Sequence, residues 1–407
     1  MKFSQKSIFL FLLGIYCFGA PFSQALMSTA STLLTVFWGF HLLRSFQELK
    51  AAPINFSKAW VGCSLAYVLW LMLGILIRDP SLKSLIHIRE VPLFLLPTLA
   101  VLPSFGRDIS LSPQELRMPF LVCMASTFYS VIFLVFETMM LDQEGTGVMR
   151  SSIYTSYNLL PIFTLSTLMI CYPFSEGGLW KYGPRILAAL SFLGIFLTGS
   201  RGATFTGLIL LIFLFAERIR YILKNRVWLG ATLLGMALFS GLIVYQFKNN
   251  SAFQKRYSGI LAPLSIPSVK YRLQIWDYNF YLFQKNPLLG VGYKKNGMVA
   301  KRYKDNEFPG RKYRFKLKGY HAHNVFLQSL AESGIIGFAL FLGWLFLPAL
   351  IDRRSLPFVA AIAIGGLNEA IFFNSRVANS FFCFLLMTLV YLSMQRNRSA
   401  NSKTNVA

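Results

Sequence analysis

The chain has 407 residues, of which 55% are hydrophobic and 16% aromatic, and its formal net charge is +24. Unbroken apolar runs of this number and length exclude a soluble globular protein, and their lack of strict alternation excludes a transmembrane barrel. The charge suggests nucleic acid, but the basic residues fall between apolar runs, where they set topology first and meet anionic ligands second.

About twelve segments approach the ~20 residues needed to cross a bilayer. They lie at 7–26, 28–46, 58–77, 85–103, 117–137, 151–173, 184–199, 203–217, 228–247, 325–350, 355–373 and 377–395. The first run is read as a retained helix and not a signal peptide, because a second apolar run follows after a short break around Pro21 to Ser28. The expected fold class is therefore an all-α polytopic membrane protein. It is one integrated domain, with helices 1–9 over 1–247, a large loop over 248–322, and helices 10–12 plus a tail over 323–407. Charge sets the orientation. With the N-terminus in the cytoplasm, the inner loops hold Arg44, Lys50, Lys58, Arg107, Arg117, Lys181, Arg185, Arg218, Arg220, Lys224, Arg226, Arg353 and Arg354. The short outer loops hold only Arg78, Lys83, Arg150, Arg201 and Arg376. The bias places both termini inside and the large loop outside, since long loops cross whatever their charge. All five cysteines (Cys17, Cys63, Cys123, Cys171 and Cys383) lie in apolar runs, so neither a disulfide framework nor a metal framework is implied.

Several ionisable residues stand where a membrane protein does not carry them idly. Arg89 and Glu90 lie inside the fourth span, beside His87. Arg150 and Asn158 sit near the start of the sixth span, and Glu369 lies in the outer half of the eleventh. The ordinary readings are a structural ion pair or snorkelling to the headgroups. Arg201 occupies the tip of a tight hairpin, between Ser200 and Gly202, where a guanidinium can grip a phosphate through two hydrogen bonds. In the large loop, 270–285 reads as an amphipathic helix on or near the membrane, with Arg272 and Trp276 one turn apart. The helix stops at Asn286-Pro287, and Leu288 to Gly292 reads as a turn. Residues 311–318 alternate, putting Lys312, Arg314, Lys316 and Lys318 on one face. That face can read phosphates of an acceptor, or simply attract anionic headgroups.

The loop ends in His321-Ala-His323-Asn324 and runs directly into the tenth span. Two of the chain's four histidines sit here. A titratable base at a membrane boundary, beside a basic loop, is a place for proton-transfer chemistry. The ordinary alternative is an interfacial histidine that anchors the helix. No convergent carboxylates stand on the outer side, and no Walker, GxSxG or zinc spacing occurs, so neither a metal nor another cofactor is expected.

Taken in order, these strings resemble the bacterial O-antigen ligases, whose superfamily also holds O-antigen polymerases and protein O-oligosaccharyltransferases. The strings are Arg201-Gly202, Arg272 with Trp276, the Pro-Leu-Leu-Gly-Val-Gly turn, and His323-Asn324 followed by Gly334 and Gly337. The motifs cover roughly 195–340, and the helix count covers the whole chain. The resemblance implies a GT-C-type glycosyltransferase of the inner membrane that works without a metal at its periplasmic face. Its donor would be O-antigen on undecaprenyl diphosphate, and its acceptor a sugar hydroxyl of lipid A–core oligosaccharide. The family's essential arginines map onto Arg201 and Arg272, and its essential histidine onto His323. A late acidic residue matches Glu369 loosely, and His321 stands outside the motif. Membrane lipid is the expected surrounding and nucleic acid is not an expected partner. The competing readings are a polymerase acting on polyprenyl-linked repeat units, a protein O-oligosaccharyltransferase, and a secondary transporter. The transporter reading lacks an internal repeat.

Overall fold

The structure is a computed structural model. It describes residues 4–19, 24–78, 86–109, 111–144, 150–173, 178–198, 200–224, scattered positions in 230–249, and then 267–296, 299, 307–308, 311–312, 321–372 and 375–404. The chain groups into two compact units, residues 1–126 with 271–407, and residues 127–270.

The elements in chain order are α1 (Gln5–Gly19), α2 (Gln24–Ala51), α3 (Phe56–Arg78), a 3-10 helix (Ile86–Val101), α4 (Pro103–Asp108), α5 (Arg117–Glu144), α6 (Arg150–Cys171), α7 (Gly178–Leu197) and α8 (Arg201–Lys224). There follow α9 (Pro267–Lys285), the short antiparallel pair β1 (Glu307–Phe308) and β2 (Arg311–Lys312), α10 (Val325–Ile351), α11 (Leu356–Asn368) and α12 (Ser375–Thr404). Among the described residues, five helical stretches are long and apolar enough to cross a membrane: Ala25–Ala51, Phe56–Arg78, Arg117–Phe136, Val325–Ile351 and Val377–Arg396. The ninth expected span, 228–247, falls largely outside the described residues.

Two expected spans take a different form. Residues 86–101 wind as a 3-10 helix carrying Pro92 and Pro97. Each proline removes a backbone donor and clashes with the preceding turn of an α-helix. At a rise of ~2 Å per residue, this tighter winding still reaches roughly 32 Å. The eleventh span stops early: α11 ends at Asn368, and Glu369 is extended at φ −150°, ψ 146°. Glu369 therefore belongs to a chain reversal and not to a helix face.

In the larger unit, α10 packs along α3. Apolar surface gains little by leaving lipid, so close contact and hydrogen bonds must hold helices together in a membrane. Both occur here. The indoles of Trp60 and Trp70 donate to the carbonyls of Trp344 (2.9 Å) and Ser333 (2.8 Å). Gly337 and Gly343 let the backbones approach: an added Cβ would lie 2.6 Å from Trp70 Cδ1 and 2.7 Å from Cys63 Sγ, respectively. Phe94, Phe341, Trp344, Phe372 and Phe382 form an interlocked aromatic core. In the smaller unit, α6, α7 and α8 pack together. The buried hydroxyls of α6 bond back to their own helix, as from Thr164 to Leu160 O (2.8 Å) and from Ser166 to Ile162 O (2.7 Å). No donor is then left facing apolar surroundings at these positions.

Candidate active site

The site begins where α10 begins. Asn324 is its N-cap: the side-chain oxygen accepts the N–H groups of Phe326 and Leu327, both at 3.0 Å, and the amide nitrogen donates to Leu367 O at 3.3 Å. Asparagine is among the best capping residues because its short side chain satisfies amides the helix leaves unpaired. That use commits the side-chain oxygen to the helix N-terminus. The cap holds His323 against the helix end with φ 48°, a left-handed backbone that few non-glycine residues adopt. Such strain persists only where the surroundings over-determine it.

The surroundings do so here. The Trp276 indole donates to Ala322 O at 2.9 Å, and the Ala322 N–H donates to Gln328 Oε1 at 2.6 Å. Trp276 is therefore more than an interfacial anchor. Helix α9 turns Ile275, Tyr278, Tyr281 and Leu282 onto Val291, Ala322 and Ala331, so the amphipathic helix expected at the membrane surface packs its apolar face against protein.

The turn after α9 locks into a break in α10. Gly334 has φ 65° and interrupts the helix. The break leaves the carbonyls of Ala331 and Glu332 to accept the N–H groups of Val291 and Gly292, both at 2.9 Å, while Ile335 N–H reaches back to Pro287 O at 2.8 Å. Nothing larger than glycine fits. A Cβ on Gly334 would lie 2.2 Å from Leu288 O, and one on Gly290, at φ 67°, would lie 2.3 Å from the Glu332 carbonyl carbon.

Glu369 closes the site from the α11 reversal. One carboxylate oxygen lies 3.1 Å from His323 Nδ1 and the other 3.2 Å from His321 Nδ1, with the two imidazole centroids 4.1 Å apart. The carboxylate side chain is 13% exposed and that of His323 is 24% exposed. At His323 a carboxylate on Nδ1 selects the Nδ1–H form and leaves Nε2 as the basic nitrogen. Burial pushes His321 down to about 4; Glu369 opposes this, while His323 and Arg272 reinforce it. His321 is thus neutral near pH 7. Its Nδ1 accepts the His323 N–H at 3.2 Å, so its proton sits on Nε2.

The structure brings together His323, Glu369 and Arg272, whose half-buried guanidinium acts electrostatically on both His321 and Glu369. Arg201 is the first residue of α8, in the other unit. Arg89 is exposed on the 3-10 helix, next to Glu90, which pairs with Lys294. Arg150 opens α6, and its side chain lies outside the described residues, as does that of Lys312 in β2. Arg314, Lys316 and Lys318 fall wholly outside the described residues. Among the described residues, His321, His323 and Glu369 are the group that could hold a metal, with ligand atoms within 4.8 Å of one another. Each carboxylate oxygen faces one imidazole.

Sequence reasoning passed over Gln328, Glu332 and Asn296, which form a buried polar network under the His loop. Its trace was present: Gln328 and Glu332 are polar residues one turn apart inside an apolar run. Residues 186–342 match the family model described as O-Antigen ligase. The matched stretch holds Arg201, Arg272, Trp276, the 286–292 turn and His323, while Glu369 lies beyond it. No curated protein matches the chain.

Proposed function

We propose, from the match of residues 186–342 to the family model described as O-Antigen ligase, that the chain transfers O-antigen glycan from undecaprenyl diphosphate to a sugar hydroxyl of lipid A–core oligosaccharide. The reaction lies in lipopolysaccharide biosynthesis, at the periplasmic face of the inner membrane. The observation that carries this reading is the 3.1 Å contact between His323 Nδ1 and the Glu369 carboxylate. It gives the site one oriented base, and transfer from a glycosyl diphosphate needs little more, because the leaving group is already good.

Nε2 of His323 takes the proton of the acceptor hydroxyl as that oxygen bonds the anomeric carbon. The bond from this carbon to the diphosphate oxygen breaks, and undecaprenyl diphosphate leaves with the electron pair. Arg272 stabilises the charge on the leaving oxygens. The family resemblance gives Arg201 the same task. A single displacement inverts the anomeric configuration. Arginines supply the neutralisation that a divalent ion supplies elsewhere, so the reaction runs without a metal. Arg89, Arg150 and the basic strip of Lys312, Arg314, Lys316 and Lys318 are assigned to the anionic acceptor.

The test uses the full chain in lipid nanodiscs with undecaprenyl-diphosphate-linked glycan, lipid A–core and EDTA. Glycan on lipid A–core, undiminished by the chelator, is expected. Turnover that stops with EDTA and returns with Mg²⁺ overturns the metal-free mechanism. Lengthened glycan still on undecaprenyl diphosphate overturns the ligase in favour of a polymerase.

A further inference from the structure

Gln328 lies one turn into α10, 5% exposed, and every polar atom of its side chain is used. Its Oε1 accepts from Ala322 N–H at 2.6 Å and from Asn296 Nδ2 at 3.0 Å. Its Nε2 donates to Glu332 Oε1 at 2.5 Å. The orientation is forced, because the Ala322 backbone N–H can only donate and so must meet the amide oxygen. Asn296 passes the connection to Asn279 Oδ1 at 3.1 Å, and Asn279 donates to Ile275 O at 2.8 Å. Glu332 also meets backbone N–H groups of Lys294 and Asn296. One amide thus ties α9, the turn after it and α10 to the peptide just before His323.

Ala322 is fully buried and held on both sides, at N–H by Gln328 and at C=O by Trp276. Those two peptide planes decide where the left-handed His323 can point. A buried network satisfied at every atom is rigid, and one broken partner leaves others unpaired in low dielectric. We propose that Gln328 is a positioning residue which, through the Ala322 peptide, sets the reach and orientation of the His323 imidazole. The inference rests on the role given to His323 above.

The test compares the full chain in nanodiscs as wild type, Gln328→Met, and the double exchange Gln328→Glu with Glu332→Gln. Methionine keeps length and volume but loses all three bonds. The double exchange restores them with the same proton count: the carboxylate at 328 accepts from Ala322 and Asn296, and the amide at 332 donates to it. Two readouts are taken. One is transfer kinetics with undecaprenyl-diphosphate-linked glycan and lipid A–core. The other needs no substrate: the rate at which diethyl pyrocarbonate modifies His323, followed by mass spectrometry. Gln328→Met is expected to lower kcat by roughly 10- to 100-fold while donor KM stays within about twofold, the pattern of a misaimed base. It is also expected to change the modification rate by at least about threefold, and the double exchange to return both readouts to within about threefold of wild type. Unchanged readouts in Gln328→Met, a rise in KM alone, or a double exchange that rescues neither would overturn the proposal. If Gln328→Met fails to accumulate, the double exchange decides alone. If the wild type transfers no glycan, the ligase reading falls and the modification rates still decide this one.

Discussion

Before Gly334, α10 buries Gln328, Ser329, Glu332 and Ser333; after it, the buried residues include Gly337, Phe341, Trp344 and Leu345. The outer segment is held by hydrogen bonds to a loop and a turn. The inner segment is held by aromatic packing and by indole bonds to backbone carbonyls. One helix thus serves two tasks, divided at one left-handed glycine. The inner part anchors against α3 and the 3-10 helix by close packing and two indole hydrogen bonds. The outer part carries the His loop and needs direction, which hydrogen bonds supply and dispersion does not.

The largest effect expected from breaking this division is chemical. His323→Ala should lower glycan transfer by about 10² to 10⁴-fold, the usual worth of a general base, with thermal stability nearly unchanged. Comparable loss of stability and activity would mean that His323 serves the fold. Arg272→Ala should match it in kinetics, and Arg201→Lys should remain poor, since an ammonium cannot reproduce the guanidinium fork.

The division itself is tested at the glycines. Gly334→Ala forces a Cβ toward backbone at 2.2 Å, whereas Gly343→Ala meets a cysteine side chain at 2.7 Å. We expect Gly334→Ala to destabilise by about 3 kcal/mol or more, through strain at positive φ and the displaced turn. Gly343→Ala should be milder, because a side chain can move. Thermal unfolding in one detergent ranks the two, and the reverse order would refute the interlock.

A third effect is specific to the outer segment and to pH. The folded value of His321, about 4, lies below its ordinary 6.5. The folded state therefore binds fewer protons than the unfolded state in that window. Stability should be full above about 6.5 and should fall as pH drops toward about 4. His321→Gln should flatten the midpoint-against-pH curve over this range, because the amide oxygen can still accept the His323 N–H without having to charge. An equally steep curve in the variant would place the acid sensitivity elsewhere, with Glu369 the first candidate.

The smallest effect is the cap. Asn324→Ala should cost about 1 kcal/mol, and Asn324→Asp should recover most of it. Transfer that falls much further than stability would give this residue a direct role at the substrate.

Much of this site was legible because its signals are local. The polar His-Asn string entering an apolar run announces a capped helix at a membrane boundary. Arg272 and Trp276, four residues apart, share a helix face, and Pro287 with two glycines announces a turn. The link between these pieces was not legible. Glu369 is 46 residues from His323 and reads as one more ionisable residue in a span. That Gly334 breaks α10 to receive the turn is visible only when both backbones are in place.

The sequence by itself determined a largely helical chain with membrane-length apolar runs and the strings that carry the family resemblance, because hydropathy and short spacing act over a few residues. The tertiary structure decided which carboxylate meets His323, which amide holds the peptide before it, and where α10 must break. Those are pairings between segments far apart in the chain, selected by the need to satisfy every buried polar group at once.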